Sequence, residues 1–156
     1  MTVAEKLVAI LKAKGLTCAT AESCTGGGVG AAITAVPGSS AVFLGGVISY
    51  ANAVKRGVLG VSPATLETVG AVSPETAAQM ADGARRLLKA DLAVSVTGVA
   101  GPDGGSAAKP VGLVWFGLAT KDGVRTEKAV FAGDRAAVRA QAVTHALGML
   151  TVGAVE

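Results

Sequence analysis

"LTCATAESCTGGGVGAAITAV", residues 16–36, is the stretch on which the fold turns. Leu16 to Ala21 reads as a short strand, Ser23 to Gly28 as a tight turn, and Val29 to Val36 as a helix of small residues. Strand, turn and helix in that order are the unit of α/β folds rather than of bundles or sandwiches. The turn is unusual in itself. A serine, a cysteine and a threonine precede three consecutive glycines, and glycine is costly to order. No Gly-Lys-Ser/Thr follows, so it is not a P-loop, and the GxSxG elbow of α/β-hydrolases is absent. Two readings remain. Ser23 or Thr25 caps the helix, which local pattern alone favours. Alternatively, Ser23 presents its hydroxyl beside free N–H groups at the helix N-terminus, which can form an oxyanion hole.

Working outward, Thr2-x-x-Glu5 forms a capping box before Ala4, Leu7, Val8 and Leu11 at helical spacing, and Gly15 ends that helix. Ala41 to Tyr50 is uncharged and reads as an inner strand. Asn52 is placed to cap a short helix running through Gly60. Ser73-Pro74 starts a helix with Ala77, Met80, Ala81, Ala84, Leu87 and Leu88 on one face. Leu92 to Val96 is a buried strand. Val111–Ala119 and Val124–Phe131 read as a hairpin around Lys121-Asp122-Gly123, and Asp134 caps a last helix to about Leu150. The order predicts one domain over residues 1–156, a three-layer α/β/α fold with a mixed sheet.

Composition supports this. The 156 residues are 51% hydrophobic and 16% charged, with 22 glycines and 3% aromatics, which suits a single compact core. A net charge of +3 without a basic stripe or aromatic ladder gives nucleic-acid binding no support. The charge-free run between Glu22 and Lys55 is long enough on paper to span a bilayer. Pro37-Gly38-Ser39-Ser40 cuts it into two short halves, so no membrane segment is expected. Two cysteines, Cys18 and Cys24, without a CxxC pair, fit a reduced, cytoplasmic setting.

In open α/β sheets, sites lie outside the carboxyl ends of strands. Three uncommon segments fall at such ends: ESCTGG, SYANAVK and TGVAGPDGG. A nucleophilic Ser23 needs a base. His145, the only histidine, lies by an apolar stripe of the last helix and reads as a core-edge residue, and Cys24 reads as a small packed one. Lys55 is the remaining base. Its place about one turn after Asn52 opposes the helix dipole, which with burial lowers a lysine pKa; taken by itself it reads better as a solvated surface lysine. Arg135 and Arg139, four apart at a helix start, suit a phosphate or carboxylate, or else answer Glu127 and Asp134. The loop from Gly98 to Pro110, with Gly101, Gly104 and Gly105, allows close backbone approach to a ligand, or is a flexible entry to the hairpin. Asp91, Asp103 and His145 show no metal-ligand spacing, so neither metal nor cofactor is expected.

Taken together, AESCTGG, SYANAVK, GAVSPET, SVTGVAGPDGG, KPVGLVWF and FAGDRAAVR resemble the C-terminal domain of the competence/damage-inducible CinA proteins, a family that includes stand-alone nicotinamide-nucleotide amidases. The resemblance runs from about Glu5 to the end of the chain. It implies deamidation of nicotinamide mononucleotide to nicotinate mononucleotide and ammonia, feeding NAD recycling. It implies Ser23 as nucleophile, Lys55 as base and a functional Arg135, in a metal-free, cytoplasmic homodimer whose partner is a small nucleotide substrate. On this reading Gly26 and Gly27 leave room for the substrate carbonyl. Backbone N–H groups after Ser23, with Thr25 or the Thr97-Gly98 turn, hold the oxyanion. Arg135, Arg139 and the Gly101–Gly105 loop hold the phosphate. Tyr50 lines the pyridine site or is only a strand-end packing residue, and Asn52 contacts substrate. The alternative is a non-catalytic nucleotide- or protein-binding module linked to competence or stress.

Overall fold

A computed structural model describes all of residues 1–156. Helix α1 (Val3–Lys14) starts where Thr2 Oγ1 accepts the Glu5 N–H at 3.1 Å and ends on Gly15 in the left-handed region. Strand β1 (Cys18–Glu22) and helix α2 (Gly28–Thr34) follow, then β2 (Phe43–Ile48). Three helices come next: α3 (Asn52–Gly57), α4 (Pro63–Thr68) and α5 (Pro74–Leu88). The chain closes with β3 (Leu92–Gly98), the hairpin β4 (Leu113–Thr120) and β5 (Gly123–Val130), and α6 (Arg135–Val155). No helix is long and apolar enough to cross a membrane.

The five strands form one mixed sheet in the order β2-β1-β3-β4-β5. β1 is parallel to both β2 and β3, and β3, β4 and β5 run antiparallel. Because β2 and β3 lie on opposite sides of β1, right-handed crossovers place α2 and α5 on opposite faces of the sheet. The core shows this division. On one face Leu7, Leu11, Ile33, Val138 and Leu150 from α1, α2 and α6 pack against Val94, Val96, Phe116 and Leu118. On the other, Met80 and Ala84 of α5, with Leu59 and Val61, pack against Ala19, Ala21 and Ala93. This is the expected three-layer arrangement.

The two faces are built differently. Toward α1 and α6 the strands present large side chains. Toward α5 they present alanine, serine and glycine, so that helix lies close. A Cβ on Gly117 would fall 2.4 Å from Ala77 O, and Ser95 Oγ donates to the same carbonyl.

Four expectations need correction. β2 is an edge strand rather than an inner one, and its residues alternate between half-buried and exposed, with Leu44 and Ile48 outside. Its lack of charge reflects an apolar surface, not burial on both faces. Asn52 does not cap α3; Ala51 holds that position and the helix ends at Gly57. Helix α4 was not anticipated, although Ser62-Pro63 repeats the start signal read at Ser73-Pro74. α6 continues past Leu150 to Val155.

Tight packing on the α5 face has a measurable consequence. Gly117→Ala is expected to lower stability by about 1–3 kcal/mol through overpacking. Gly148→Ala, whose Cβ meets nothing within 4 Å on α6, is expected to raise it by about 0.5–1 kcal/mol. Urea unfolding of both variants checks this; a neutral Gly117→Ala would contradict the close approach of α5.

Candidate active site

β1, β2 and β3 are parallel, so their carboxyl ends open on one edge of the sheet. The connections leaving β1 and β2 go to opposite faces there, which leaves a crevice at a topological switch point. A cavity of about 210 Å³ occupies it. Ser23 follows β1, Tyr50, Asn52 and Lys55 follow β2, Thr97 and Gly98 end β3, and Arg135 reaches in from α6. The three segments singled out in the sequence therefore meet at one place, 32 residues apart in the case of Ser23 and Lys55.

Lys55 is the unusual member. Its side chain is only 1% exposed. Its Nζ lies 3.1 Å from Ser23 Oγ and donates to the carbonyls of Ser49 at 2.8 Å and Tyr50 at 3.0 Å. Burial pulls the Lys55 pKa below its ordinary 10.5, opposed by the neighbouring Cys24. The helix dipole is not the cause, since Lys55 sits in the last turn of the short α3. In the neutral amine the two carbonyls engage two N–H groups. The remaining lone pair is then directed at the Ser23 hydroxyl.

The turn after β1 resolves the capping question in favour of neither candidate. The cap position of α2 is Gly27, which has no side chain to offer. Glu22, 2% exposed, caps the helix from the strand end instead. It accepts the N–H of Val29 at 2.9 Å and of Gly30 at 3.0 Å, and the hydroxyl of Thr25 at 2.7 Å. Ser23 donates its N–H to Val96 O at 2.9 Å, and its hydroxyl is left to Lys55. The N–H groups of Cys24 and Thr25 find no acceptor in the protein. Gly26 and Gly27 make the turn possible through φ values of 59° and 101°; they face Arg139 and Ile48, not the cavity. Burial pushes the Cys24 thiol up to about 11, so it stays protonated at neutral pH beside the serine.

The two arginines separate. Arg135 donates to Gly101 O at 2.7 Å and to Tyr50 Oη at 3.3 Å, closing one side of the cavity. Arg139 donates from Nε to Cys24 O at 3.0 Å and from Nη2 to Thr25 O at 3.3 Å, gripping the turn from behind. Neither answers Glu127 or Asp134: Glu127 pairs with His145, and Asp134 accepts the Ala137 N–H. Thr97 lines the cavity while its hydroxyl donates to Ala71 O. Tyr50 is 63% exposed and stands at the mouth, neither buried nor packed as a strand-end residue. Gly101 reaches the site only through its carbonyl. Gly104 and Gly105 lie outside the cavity lining, with Gly105 packed against Lys109 and Val111 of its own loop. His145 stacks on Phe116 with ring centres 4.2 Å apart, at the core edge.

Sequence reasoning missed Glu22 altogether. The available signal was a carboxylate ending an apolar strand, followed by glycines that bring N–H groups close to it.

A family model described as the CinA C-terminal domain matches residues 1–152. A putative competence-damage inducible protein of Halothermothrix orenii is 60% identical over 127 residues, covering 81% of this chain and 31% of that protein. The nicotinamide-nucleotide amidohydrolase PncC of Enterobacter agglomerans is 57% identical over 140 residues, covering 89% of this chain and 85% of that one. The chain thus spans about a third of the first relative's length and most of the second's. The crystal structure of competence/damage inducible protein CihA from Agrobacterium tumefaciens superposes with a TM-score of 0.95 at 44% identity, covering 99% of this chain and 94% of that chain. On sequence along almost its whole length, and on fold, the chain belongs to the CinA C-terminal domain family.

Proposed function

We propose that this protein is an amidase that hydrolyses the carboxamide of nicotinamide mononucleotide, with Ser23 as nucleophile and Lys55 as general base. The observation that carries the reading is the buried Lys55 amine 3.1 Å from Ser23 Oγ, in a cavity at the carboxyl ends of the parallel strands. Similarity to a nicotinamide-nucleotide amidohydrolase supplies the substrate.

Neutral Lys55 takes the Ser23 proton, and the oxygen attacks the carboxamide carbon. The unpartnered N–H groups of Cys24 and Thr25 receive the negative charge that develops on the carboxamide oxygen. The C–N bond breaks as Lys55 passes its proton to the departing nitrogen, which leaves as ammonia. Water then attacks the ester with Lys55 again as base. The ester C–O bond breaks, Ser23 regains its proton and nicotinate mononucleotide leaves. A cavity of about 210 Å³ is smaller than most ligand sites, which run from about 300 Å³ upward. It suits the pyridine carboxamide, with ribose and phosphate outside it and Arg135 and Tyr50 at the mouth. Recycling of pyridine nucleotides to NAD, by a cytoplasmic homodimer, belongs to the same proposal.

Ser23→Ala is expected to abolish ammonia release from nicotinamide mononucleotide, and Lys55→Ala to reduce it by about 100- to 10,000-fold, the usual worth of a general base. Circular dichroism checks that both remain folded; wild-type turnover by either variant would refute the pair. The pH profile carries the second test. The base acts in its neutral form, which is present above its pKa. Because burial lowers that pKa from 10.5, kcat/KM is expected to rise with pH and level off below pH 10.5. A rate that falls with pH over the same range would contradict it.

A further inference from the structure

The turn that carries Ser23 is gripped from two sides by opposite charges. Glu22 holds the Thr25 hydroxyl and the first free N–H groups of α2. Arg139, from the far end of the sequence, holds the carbonyls of Cys24 and Thr25. Neither side chain forms an ion pair; the three ion pairs of the molecule lie elsewhere. Both are spent on the backbone and hydroxyl of residues 24–30.

Peptide planarity gives these contacts a consequence at the site. In a trans peptide the C=O of one residue and the N–H of the next point in opposite directions. Ser23 O accepts the Gly26 N–H at 3.1 Å, which fixes the peptide carrying the Cys24 N–H. Arg139 Nε holds Cys24 O at 3.0 Å, which fixes the peptide carrying the Thr25 N–H. Of the three N–H groups in the turn that no protein atom accepts, those of Cys24, Thr25 and Gly27, these are the two that directly follow Ser23. With glycines at 26, 27 and 28 the turn has little stiffness of its own, so its orientation depends on what holds it.

We propose that Glu22 and Arg139 are positioning residues that clamp the 23–27 turn so that the Cys24 and Thr25 N–H groups stand ready as oxyanion donors. The proposal rests on Ser23 being the nucleophile. It moves Arg139 from the substrate's phosphate to the back of the turn, where its guanidinium lies 3.5 Å from the position a Cβ on Gly26 would take. Oxyanion donors act on the transition state, not on the bound amide, so loosening them lowers kcat and leaves KM in place.

The test is steady-state ammonia release from nicotinamide mononucleotide by Glu22→Gln, Arg139→Ala and Arg139→Lys, with Ser23→Ala in parallel. Glu22→Gln keeps the shape but turns an NH₂ toward the N–H groups of α2. Arg139→Ala removes an exposed side chain, so folding is retained and the test stands even if Glu22→Gln unfolds. The expected result is a kcat lowered by about 100-fold, the cost of a small misplacement of a catalytic group, in Glu22→Gln and Arg139→Ala. KM is expected to change less than about twofold, and Arg139→Lys, able to keep one carbonyl, to fall between (a pure kcat effect being the mark of lost transition-state contacts). A wild-type kcat in folded Arg139→Ala or Glu22→Gln overturns the proposal. So does a raised KM with kcat intact in Arg139→Ala, which would return that arginine to the substrate. Turnover by Ser23→Ala would instead refute the nucleophile on which the clamp depends.

Discussion

A lysine amine held out of water between two backbone carbonyls and one serine hydroxyl is the contact around which the rest of this molecule is arranged. Taking an ammonium out of water is expensive, and the group answers by giving up its proton more readily. Lys55 is 1% exposed, yet no carboxylate compensates it. Its polar neighbours are the carbonyls of Ser49 and Tyr50 and the hydroxyl of Ser23. That environment costs stability and leaves the neutral amine a lone pair with one place to point, which is what the proposed role as base requires.

The fold produces this contact from elements far apart in sequence. Two crossovers of the same hand, leaving β1 and β2 in opposite directions, put the ends of the parallel strands side by side and clear a crevice above them. The small residues on the α5 face let that helix lie close to the sheet. On the other face α6 serves twice: its apolar stripe closes the larger core, and its first turns send Arg135 to the mouth of the cavity and Arg139 to the turn that carries Ser23. Packing and site geometry thus share the same helix.

Much of this was legible in the residues. Caps at Thr2, Ser73 and Asp134 marked helix starts correctly because they are local hydrogen bonds, and the strand-turn-helix at 16–36 identified the class. What was lost was what burial decides. A lysine stem is apolar and its head charged, so sequence cannot say whether Lys55 lies in water or beneath Ser23. β2 looked internal because an uncharged edge strand and an uncharged central one read alike. Glu22 was passed over because its partners are backbone N–H groups, which have no letter in the sequence. Arg139 looked like a ligand for an anion, since only the folded chain shows two carbonyls 114 and 115 positions away waiting for it. The glycines at 104 and 105 lie outside the cavity lining, and their positive φ values shape the path of their own loop.

The central claim is covalent catalysis by Ser23, and the most direct measurement is mass spectrometry of protein quenched during turnover of nicotinamide mononucleotide. The account predicts a transient ester of the nicotinate mononucleotide acyl group on the peptide containing Ser23, absent from Ser23→Ala. An adduct carried by Cys24, or hydrolysis proceeding in Ser23→Ala with no adduct at all, would contradict it.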